Sequence, residues 1–244
     1  MSFVNLIKRL HEYVSSMYCK FKDAFVTAHP GHQLPFVGLT RRVIKELESH
    51  SLYHEMTHAP GLLQALEKIL GPDISKICAT GFFPVDPADE SSPILKKLHQ
   101  EVWTGCGPDD IVSWTPLHET YPKSTLSVVP GSHLYGMLPN RNRRLLPVEG
   151  LKIPKPLDLQ LTTGDIVLFH SLLLHGTSGK GDKVRYAIQV NYRNTFTPLT
   201  MQQMGFGFIN LKQGPMTRIR QVLGNDYLTP LRTYGGKSSN YEDY

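Results

Sequence analysis

Apolar residues in the first third of the chain recur every three or four positions, the spacing typical of amphipathic helices. This pattern predicts a helix over Phe3–Phe21, a second over Thr40–Leu52 and a third over Pro60–Leu70. Pro60 falls in the first turn of the third helix, and Gly71-Pro72 follows its end, which suits the way helices start and stop. The first helix carries one apolar stripe, so we expect it to pack against a sheet. The stripe comprises Val4, Ile7, Leu10, Val14, Met17 and Phe21.

From Ile77 onwards the spacing changes to short apolar runs and two-residue alternation, which indicates strands. The predicted strands are Ile111–Leu117, Leu126–Val129, Leu157–Leu161, Ile166–Phe169 and Val184–Tyr192. Phe82–Lys97 is predicted to be a loop, Leu134–Lys155 a long insertion, Met216–Leu223 a short helix and Gly235–Tyr244 a frayed tail. Helices followed by many strands predict an α+β fold with a mainly β core: a jelly roll with the N-terminal helices packed on one sheet.

The 244 residues, 40% of them hydrophobic, are enough for one sizeable core. We therefore predict a single domain over 1–244, with a helical buttress at 1–75, a jelly-roll core at 76–195 and a C-terminal extension at 196–244. No run is long enough to span a bilayer, and charges interrupt the apolar N-terminus, so we expect no membrane segment and no secretory leader.

The formal charge of +5 favours an anionic small-molecule substrate. It does not predict nucleic-acid binding, because no aromatic and basic platform accompanies it. The cysteines Cys19, Cys78 and Cys106 are odd in number and lack metal or redox spacing, which favours a reduced, cytoplasmic protein. No feature of the sequence decides the oligomeric state.

Candidate chemistry lies in and beside the predicted strands. His99 and Glu101 are two positions apart, so on an extended backbone their side chains point to the same face. His175 ends an apolar run, Gly-rich turn chemistry follows it, and Arg185 opens the next strand. Two histidines and one carboxylate form the facial triad of non-haem Fe(II) oxygenases, which leaves coordination positions open.

Four blocks in this order resemble the phytanoyl-CoA dioxygenase family of Fe(II)/2-oxoglutarate oxygenases, whose fold is a double-stranded β-helix. They are Leu98-His-Gln-Glu101, Asp110-Ile-Val-Ser-Trp-Thr-Pro-Leu117, Leu126-Ser-Val-Val-Pro-Gly-Ser-His133 and Gly164-Asp-Ile-Val-Leu-Phe-His-Ser-Leu-Leu-Leu-His-Gly176, followed by Arg185. The resemblance runs from about Pro60 to Tyr192.

The resemblance implies that His99, Glu101 and His175 ligate iron. It implies that Arg185 pairs with the distal carboxylate of 2-oxoglutarate, a task suited to guanidinium, and that Trp114 and Thr177 also contact this co-substrate. Cofactors would be Fe(II), 2-oxoglutarate and O2, with ascorbate as a stimulant. The reaction would hydroxylate a small molecule while 2-oxoglutarate is decarboxylated to succinate and CO2.

This chain departs from the family pattern in two places. Glu101 stands where the family usually has Asp, and Lys123-Ser124 replaces the usual Asn-Gly turn. Related halogenases lose the carboxylate to make room for halide, so retaining one at Glu101 favours hydroxylation. The longer arm also leaves open a third class of protein, a metal-binding jelly roll that has lost its activity.

A competing motif lies upstream, where His54-Glu55-Met56-Thr57-His58 fits the H-E-x-x-H pattern of zinc peptidases. On a helix the two histidines would share a face, with Glu55 as general base. Pro60 follows closely and disfavours a continuing helix, and a further zinc ligand is lacking nearby.

The arginines Arg141, Arg143 and Arg144 are interpreted first as part of a solvated loop, and second as a binding site for an anionic substrate.

Overall fold

The computed structural model describes residues 1–77, 80–87, 98–121, 124–179, 181–197 and 207–223. Part of the predicted loop, residues 88–97, lies outside this range, as do Cys78, Lys123 and the predicted tail Gly235–Tyr244. The helices of the described residues are α1 (Phe3–Ala28), α2 (Phe36–Ser49), α3 (Ser51–Thr57), α4 (Pro60–Leu70) and α5 (Pro215–Leu223).

The first helix is seven residues longer than its apolar stripe predicts. Its buried face ends at Tyr18, but nothing stops the helix before Pro30 and Gly31, whose φ is +77°. The last turns are largely exposed, and Lys22 on them forms an ion pair with Asp86 of the core. The prediction of a helix was therefore right in kind, and its end was set by a backbone breaker rather than by burial.

The predicted second helix is in fact two helices that meet at His50. The backbone of His50 is extended, with ψ of +138°, and its ring Nδ1 accepts a hydrogen bond from the Leu52 backbone N–H at 3.2 Å. His50 thus caps the start of α3. The third predicted helix, now α4, has the predicted bounds and is followed by Gly71 at φ +81°.

The strands form two antiparallel sheets and a separate hairpin. Their bounds are β1 (Ile74–Ile77), β2 (Gly81–Phe82), β3 (Ile111–Pro116), β4 (Leu126–Val128), β5 (Asn140–Arg141), β6 (Arg144–Leu145), β7 (Leu157–Asp158), β8 (Val167–His170), β9 (His175–Thr177), β10 (Ala187–Asn194) and β11 (Phe208–Lys212). The large sheet has the order β11-β1-β10-β3-β8, with β2 also paired to β10, and the small sheet has the order β7-β4-β9.

Alternation along β10 shows how the two faces of the large sheet are used. Ile188, Val190 and Tyr192 pack in one cluster with α1 to α4. Ala187, on the opposite face, packs with Trp114 of β3 and with Leu126 of the small sheet. Helices therefore cover the outside, and the two sheets enclose an inner layer, as the α+β jelly-roll prediction requires.

The structure differs from the prediction at the starts of two strands and in one strand that was not predicted. The first strand begins at Ile74 rather than Ile77, and β11 was missed because it is a half-exposed edge strand without clean alternation. The strand predicted from Val184 becomes regular only at Ala187, because Arg185 forms an isolated bridge with Val85.

The predicted insertion contains a short hairpin, β5–β6. Its two turn residues, Asn142 and Arg143, have φ of +52° and +59°. Positive φ at both positions is the geometry of the tightest hairpin turns, which the sequence Asn-Arg did not suggest. Among the described residues, no helix has the length and apolarity needed to cross a bilayer.

Candidate metal centre and its anion-binding cavity

Two distant segments are joined at the histidines. The backbone N–H of His99 donates to the His175 carbonyl at 2.9 Å, and the His175 N–H donates to the His99 carbonyl at 3.0 Å. This reciprocal bridge fixes both side chains on the inside of the two sheets, with ring centroids 4.2 Å apart. Periodicity could not predict this backbone bridge, because 76 positions separate the two residues.

Glu101 completes the cluster. Gln100 is extended, with φ of −105° and ψ of +144°, so Glu101 returns to the same side as His99. Oε2 of Glu101 lies 3.7 Å from His99 Nε2 and 3.3 Å from His175 Nε2, and all three residues are buried. One candidate ligand atom from each side chain lies within 4.8 Å of the others, and among the described residues this is the group of side chains that could hold a metal ion.

The tautomer of His175 suits a metal ligand. Nδ1 of His175 lies 2.9 Å from the Leu173 carbonyl, which can only accept, so Nδ1 carries the proton. In the neutral ring Nε2 then presents a lone pair to Glu101 Oε2. Acceptor atoms that converge in a buried space are stabilised by a cation among them, and two histidines with one carboxylate suit Fe(II).

Gln100, between two of the ligands, was missed by sequence reasoning. Its buried amide donates to the carbonyls of Gly136 and Leu172 at 2.8 and 2.6 Å, and accepts from the Leu138 N–H at 2.8 Å. These bonds fix the backbone that carries His99 and Glu101. Its place between two same-face residues, which sends its side chain the opposite way, was the available signal.

Arg185 provides the second feature of the cavity. It is buried, with 1% of its surface exposed, and its guanidinium lies 5.1 Å from the Trp114 ring centroid. Within the described part of the chain, its Nε and Nη1 have no hydrogen-bond partner. Burial lowers the pKa of Arg185 to about 9. A buried cation with unused donors is costly, and an anionic ligand would offset that cost.

The predicted iron and co-substrate residues other than Glu101 line one narrow cavity between the sheets. His99, His175, Trp114, Thr177 and Arg185 all contribute to its wall. Thr177 lies two positions beyond His175 on β9, so both side chains face inward. Leu126, Gly176, Phe83 and Gln189 also line the cavity, and the last two were not predicted. Gln189 follows from alternation on β10, two positions beyond Ala187.

The competing H-E-x-x-H motif does not form a comparable site. The helix ends at Thr57, and His58 Nδ1 lies 2.7 Å from the His54 carbonyl. Both histidines and Glu55 are exposed, and their group is not among the possible metal sites of the described residues. Glu55 and His58 border a wide apolar groove of about 830 Å³ on the outer side of the large sheet, away from the inner cavity.

Solved structures with the same fold support this architecture. The chain is similar to the apo form of ThoJ, a non-heme monooxygenase, with 20% identity and a TM-score of 0.57 over 84% of this chain and 77% of that one. It is also similar to SnoN, an alpha-ketoglutarate-dependent epimerase from nogalamycin biosynthesis, with 16% identity and a TM-score of 0.52 over 68% and 73% of the two chains. No curated protein matches it.

A second SnoN structure, in complex with Fe3+, alpha ketoglutarate and a nogalamycin compound, matches with 14% identity and a TM-score of 0.50 over 62% and 63% of the two chains. The family model for phytanoyl-CoA dioxygenase matches residues 5–187, three quarters of the sequence. The sequence-based expectations of iron, 2-oxoglutarate and O2 as cofactors are confirmed by this match and the buried His-Glu-His cluster. The chain belongs to the phytanoyl-CoA dioxygenase family of iron- and 2-oxoglutarate-dependent oxygenases.

Proposed function

We propose that this protein hydroxylates a small molecule at an Fe(II) centre held by His99, Glu101 and His175, with 2-oxoglutarate as co-substrate. The observation that carries the proposal is a single inner cavity lined by the two histidines of the buried His-Glu-His cluster and by the buried Arg185. A metal site and an anion site side by side are what an Fe(II) and 2-oxoglutarate enzyme requires.

The three ligand side chains are proposed to bind iron on one face and leave its other positions open. Bound iron, together with 2-oxoglutarate and O2, supplies the oxidising chemistry that acts on a C–H bond of the substrate. The residues behind the ligands keep them in place. The Leu173 carbonyl orients His175, and Gln100 holds the segment between His99 and Glu101.

Arg185 is proposed to bind the distal carboxylate of 2-oxoglutarate. Its Nε and Nη1 are donors without a protein partner among the described residues, and a guanidinium can pair bidentately with a carboxylate, a geometry that a lysine cannot reproduce. The guanidinium lies over the Trp114 ring, 5.1 Å from its centroid, and Thr177 lines the same cavity with a hydroxyl that could reach the co-substrate. The dry surroundings strengthen this charge-assisted pairing.

Hydroxylation is the outcome favoured by the ligand set, because Glu101 occupies the position that halogenases of this kind leave without a carboxylate. The substrate is proposed to be a small molecule, and the net charge of +5 favours an anionic one. The arginines of the hairpin, Arg141, Arg143 and Arg144, are exposed, and apolar residues of the same segment pack beside Leu98 and Trp103. Leu98 and Trp103 are close in sequence to His99 and Glu101 of the candidate metal cluster.

The test is turnover of 2-oxoglutarate. The protein is incubated with Fe(II), 2-oxoglutarate, O2 and ascorbate, alone and with a panel of small anionic and neutral molecules, and succinate is measured. We expect succinate from the wild-type protein, more of it with a substrate, and none from His175→Ala. The product mass then separates hydroxylation, which adds one oxygen atom, from an isomerisation.

Two results would count against the proposal. The first is a wild-type protein that neither binds 2-oxoglutarate in calorimetry nor makes succinate, which would indicate an inactive metal-binding jelly roll. The second is zinc-dependent peptide cleavage that is lost in Glu55→Ala and kept in His175→Ala, which would indicate the peptidase.

A further inference from the structure

We propose that Thr104 is a positioning residue for the metal: its hydroxyl holds one oxygen of Glu101, so that the other oxygen faces the two histidines. The inference rests on the proposed function, because it concerns how Glu101 is presented to iron. It also gives a physical reason why this chain can use Glu where its family usually has Asp.

The local backbone brings the two residues together. Glu101 is the first residue of a 3₁₀ turn that ends at Thr104, and the C-cap Gly105 has a left-handed backbone with φ of +103°. A 3₁₀ helix has three residues per turn, so side chains three positions apart lie one above the other. Thr104 is therefore stacked on Glu101 by the turn itself, and its hydroxyl lies 3.0 Å from Glu101 Oε1.

The contact with Thr104 gives the two carboxylate oxygens of Glu101 different neighbours. Oε1 accepts the hydroxyl of Thr104, whereas Oε2 lies 3.3 Å from His175 Nε2 and 3.7 Å from His99 Nε2. The carboxylate is thus turned so that one oxygen is directed at the cluster. A metal there would be bound through Oε2, and rotation of the carboxylate away from it would break the bond to Thr104.

Two further side chains, Cys106 and Asn191, lie behind Thr104 and support it. Cys106 Sγ lies 4.0 Å from the Thr104 hydroxyl and accepts a hydrogen bond from the Asn191 amide at 2.8 Å. The Asn191 side chain comes from the inner face of β10. Thr104 is therefore connected to the large sheet through Cys106 and Asn191. Because a carboxylate only accepts, the hydroxyl proton can be directed at Glu101 while the thiol donates to the hydroxyl oxygen.

The length of the side chain follows from this arrangement. Glu101 bends back over its own turn to meet Thr104 while its other oxygen still reaches the histidines. An Asp is shorter by one C–C bond, about 1.5 Å. It could face the histidines or Thr104, but on this backbone it could not reach both. Glu101→Asp should therefore bind metal more weakly than the wild-type protein.

Thr104 also has an ordinary structural role, because its single hydroxyl proton is shared between Glu101 Oε1 and the Glu101 backbone carbonyl, which lies 2.8 Å away. Many threonines at the end of a helical turn bond a carbonyl three positions back. Thr57 makes the same kind of bond to the His54 carbonyl at 3.2 Å, at the end of α3 and away from the cluster. Thr57 is thus a matched control for the structural role alone.

The experiment is a double-mutant cycle read out as Co(II) affinity of the metal-stripped protein by calorimetry. Thr104→Val removes the hydroxyl but keeps the branched shape, and we expect it to weaken Co(II) binding about 10- to 100-fold, as is typical for partners behind a metal ligand. In the Glu101→Asp background the same change should alter affinity by no more than about twofold, because Asp does not reach the hydroxyl. Thr104→Ser keeps the hydroxyl and should keep most of the affinity.

Thr57→Val should leave Co(II) affinity unchanged, even if it lowers the melting temperature of the metal-free protein. The inference is overturned if Thr104→Val binds Co(II) like wild type, or loses the same factor in both backgrounds. A wild-type protein that binds no Co(II) would overturn the proposed metal centre as well. Wild-type binding with an unaffected Thr104→Val would overturn the role of Thr104 alone.

Discussion

Two regions of this molecule each carry two histidines and one glutamate, and only one of them forms a possible metal site. His54, Glu55 and His58 lie within five residues on the outer helical layer, and all three are exposed. His99, Glu101 and His175 come from two segments far apart in sequence, and all three are buried between the sheets with their ligand atoms converging.

The difference lies in what fixes each side chain. In the inner region a reciprocal backbone bridge, the hydrogen bonds of Gln100 and a carbonyl beside His175 Nδ1 hold the proposed ligand side chains in place. In the outer region the helix ends between the two histidines, and His58 Nδ1 contacts the His54 carbonyl instead. A compact motif in the sequence is therefore weaker evidence for a metal site than a set of side chains that backbone bonds and hydrogen-bonded neighbours hold in place.

The largest effect should come from removing a ligand in one region or the other. Glu101→Ala and His175→Ala should each lower Fe(II) or Co(II) affinity by more than the roughly 10- to 100-fold typical of changes behind a metal ligand, because each removes a proposed ligand atom. Glu55→Ala and His58→Ala should leave affinity unchanged. Calorimetric titration of the metal-stripped proteins measures all four. Loss of metal binding in the helix variants, with retention in the core variants, would reverse the comparison.

The next effect concerns Arg185, the buried cation proposed to bind 2-oxoglutarate in the inner region. Arg185→Ala should weaken 2-oxoglutarate binding by one to several decades, because losing a charge-assisted pair in a dry pocket costs on the order of 2–5 kcal/mol. Metal affinity should be retained. Calorimetry with 2-oxoglutarate in the presence of Co(II) measures the effect.

Arg193 is the matched control for Arg185, since both are buried on or beside β10. Arg193 lies 4.0 Å from Asp110 Oδ1 and donates to the Thr197 carbonyl at 2.6 Å, so its charge already has protein partners. Arg193→Ala should therefore lower stability, whereas Arg185→Ala should leave the free protein at least as stable as wild type. Unchanged 2-oxoglutarate affinity in Arg185→Ala would contradict the assignment of this cavity.

A smaller effect follows from burying Asp110 in the same interior. Burial raises the pKa of this fully buried carboxyl to about 6, although the Gly107 N–H and Arg193 act in the opposite direction. The folded protein thus holds the proton more tightly than the unfolded chain, where the pKa is about 4. The stability contributed by the protonated form is complete below about pH 4 and is lost as the pH rises through about 6.

Asp110→Asn should remove this pH dependence, because the amide is neutral throughout and its oxygen can still accept from the Gly107 N–H. The variant should be more stable than wild type above pH 6, by on the order of 2 kcal/mol. Urea unfolding at several values between pH 4 and 8 measures it. A parallel decline of both proteins between pH 4 and 6 would show that another group causes the dependence.

The smallest effects are expected in the outer region. His54 and His58 are exposed, and substitutions away from packed or hydrogen-bonded networks usually change stability by less than about 0.5 kcal/mol. His54→Ala should therefore unfold in urea within that range of wild type. A loss several times larger would mean that the helical layer depends on this side chain, and that the contrast between the two regions has been overstated.

The sequence by itself determined which segments are helices and strands and which residues were candidates. Helical spacing ended where Gly71 stops α4, and two-residue alternation along β10 indicated a strand whose successive residues take opposite faces, because both signals are local. The ordered blocks around His99, His175 and Arg185 identified the family. Local signals failed at His50, where a side chain caps a new helix, and at β11, whose edge position gives no clean alternation.

The family resemblance implied which candidates share a site, but only the tertiary structure decided how they are held together. The bridge between His99 and His175, the clamp by Gln100 and the unused donors of Arg185 depend on contacts between segments far apart in the chain. The contact between Thr104 and Glu101 is local, yet it requires a 3₁₀ turn rather than a continuing strand, and that turn is fixed in part by the Ser171 carbonyl. Periodicity reports which face a side chain takes, whereas the distance between two side chains depends on how the sheets pack.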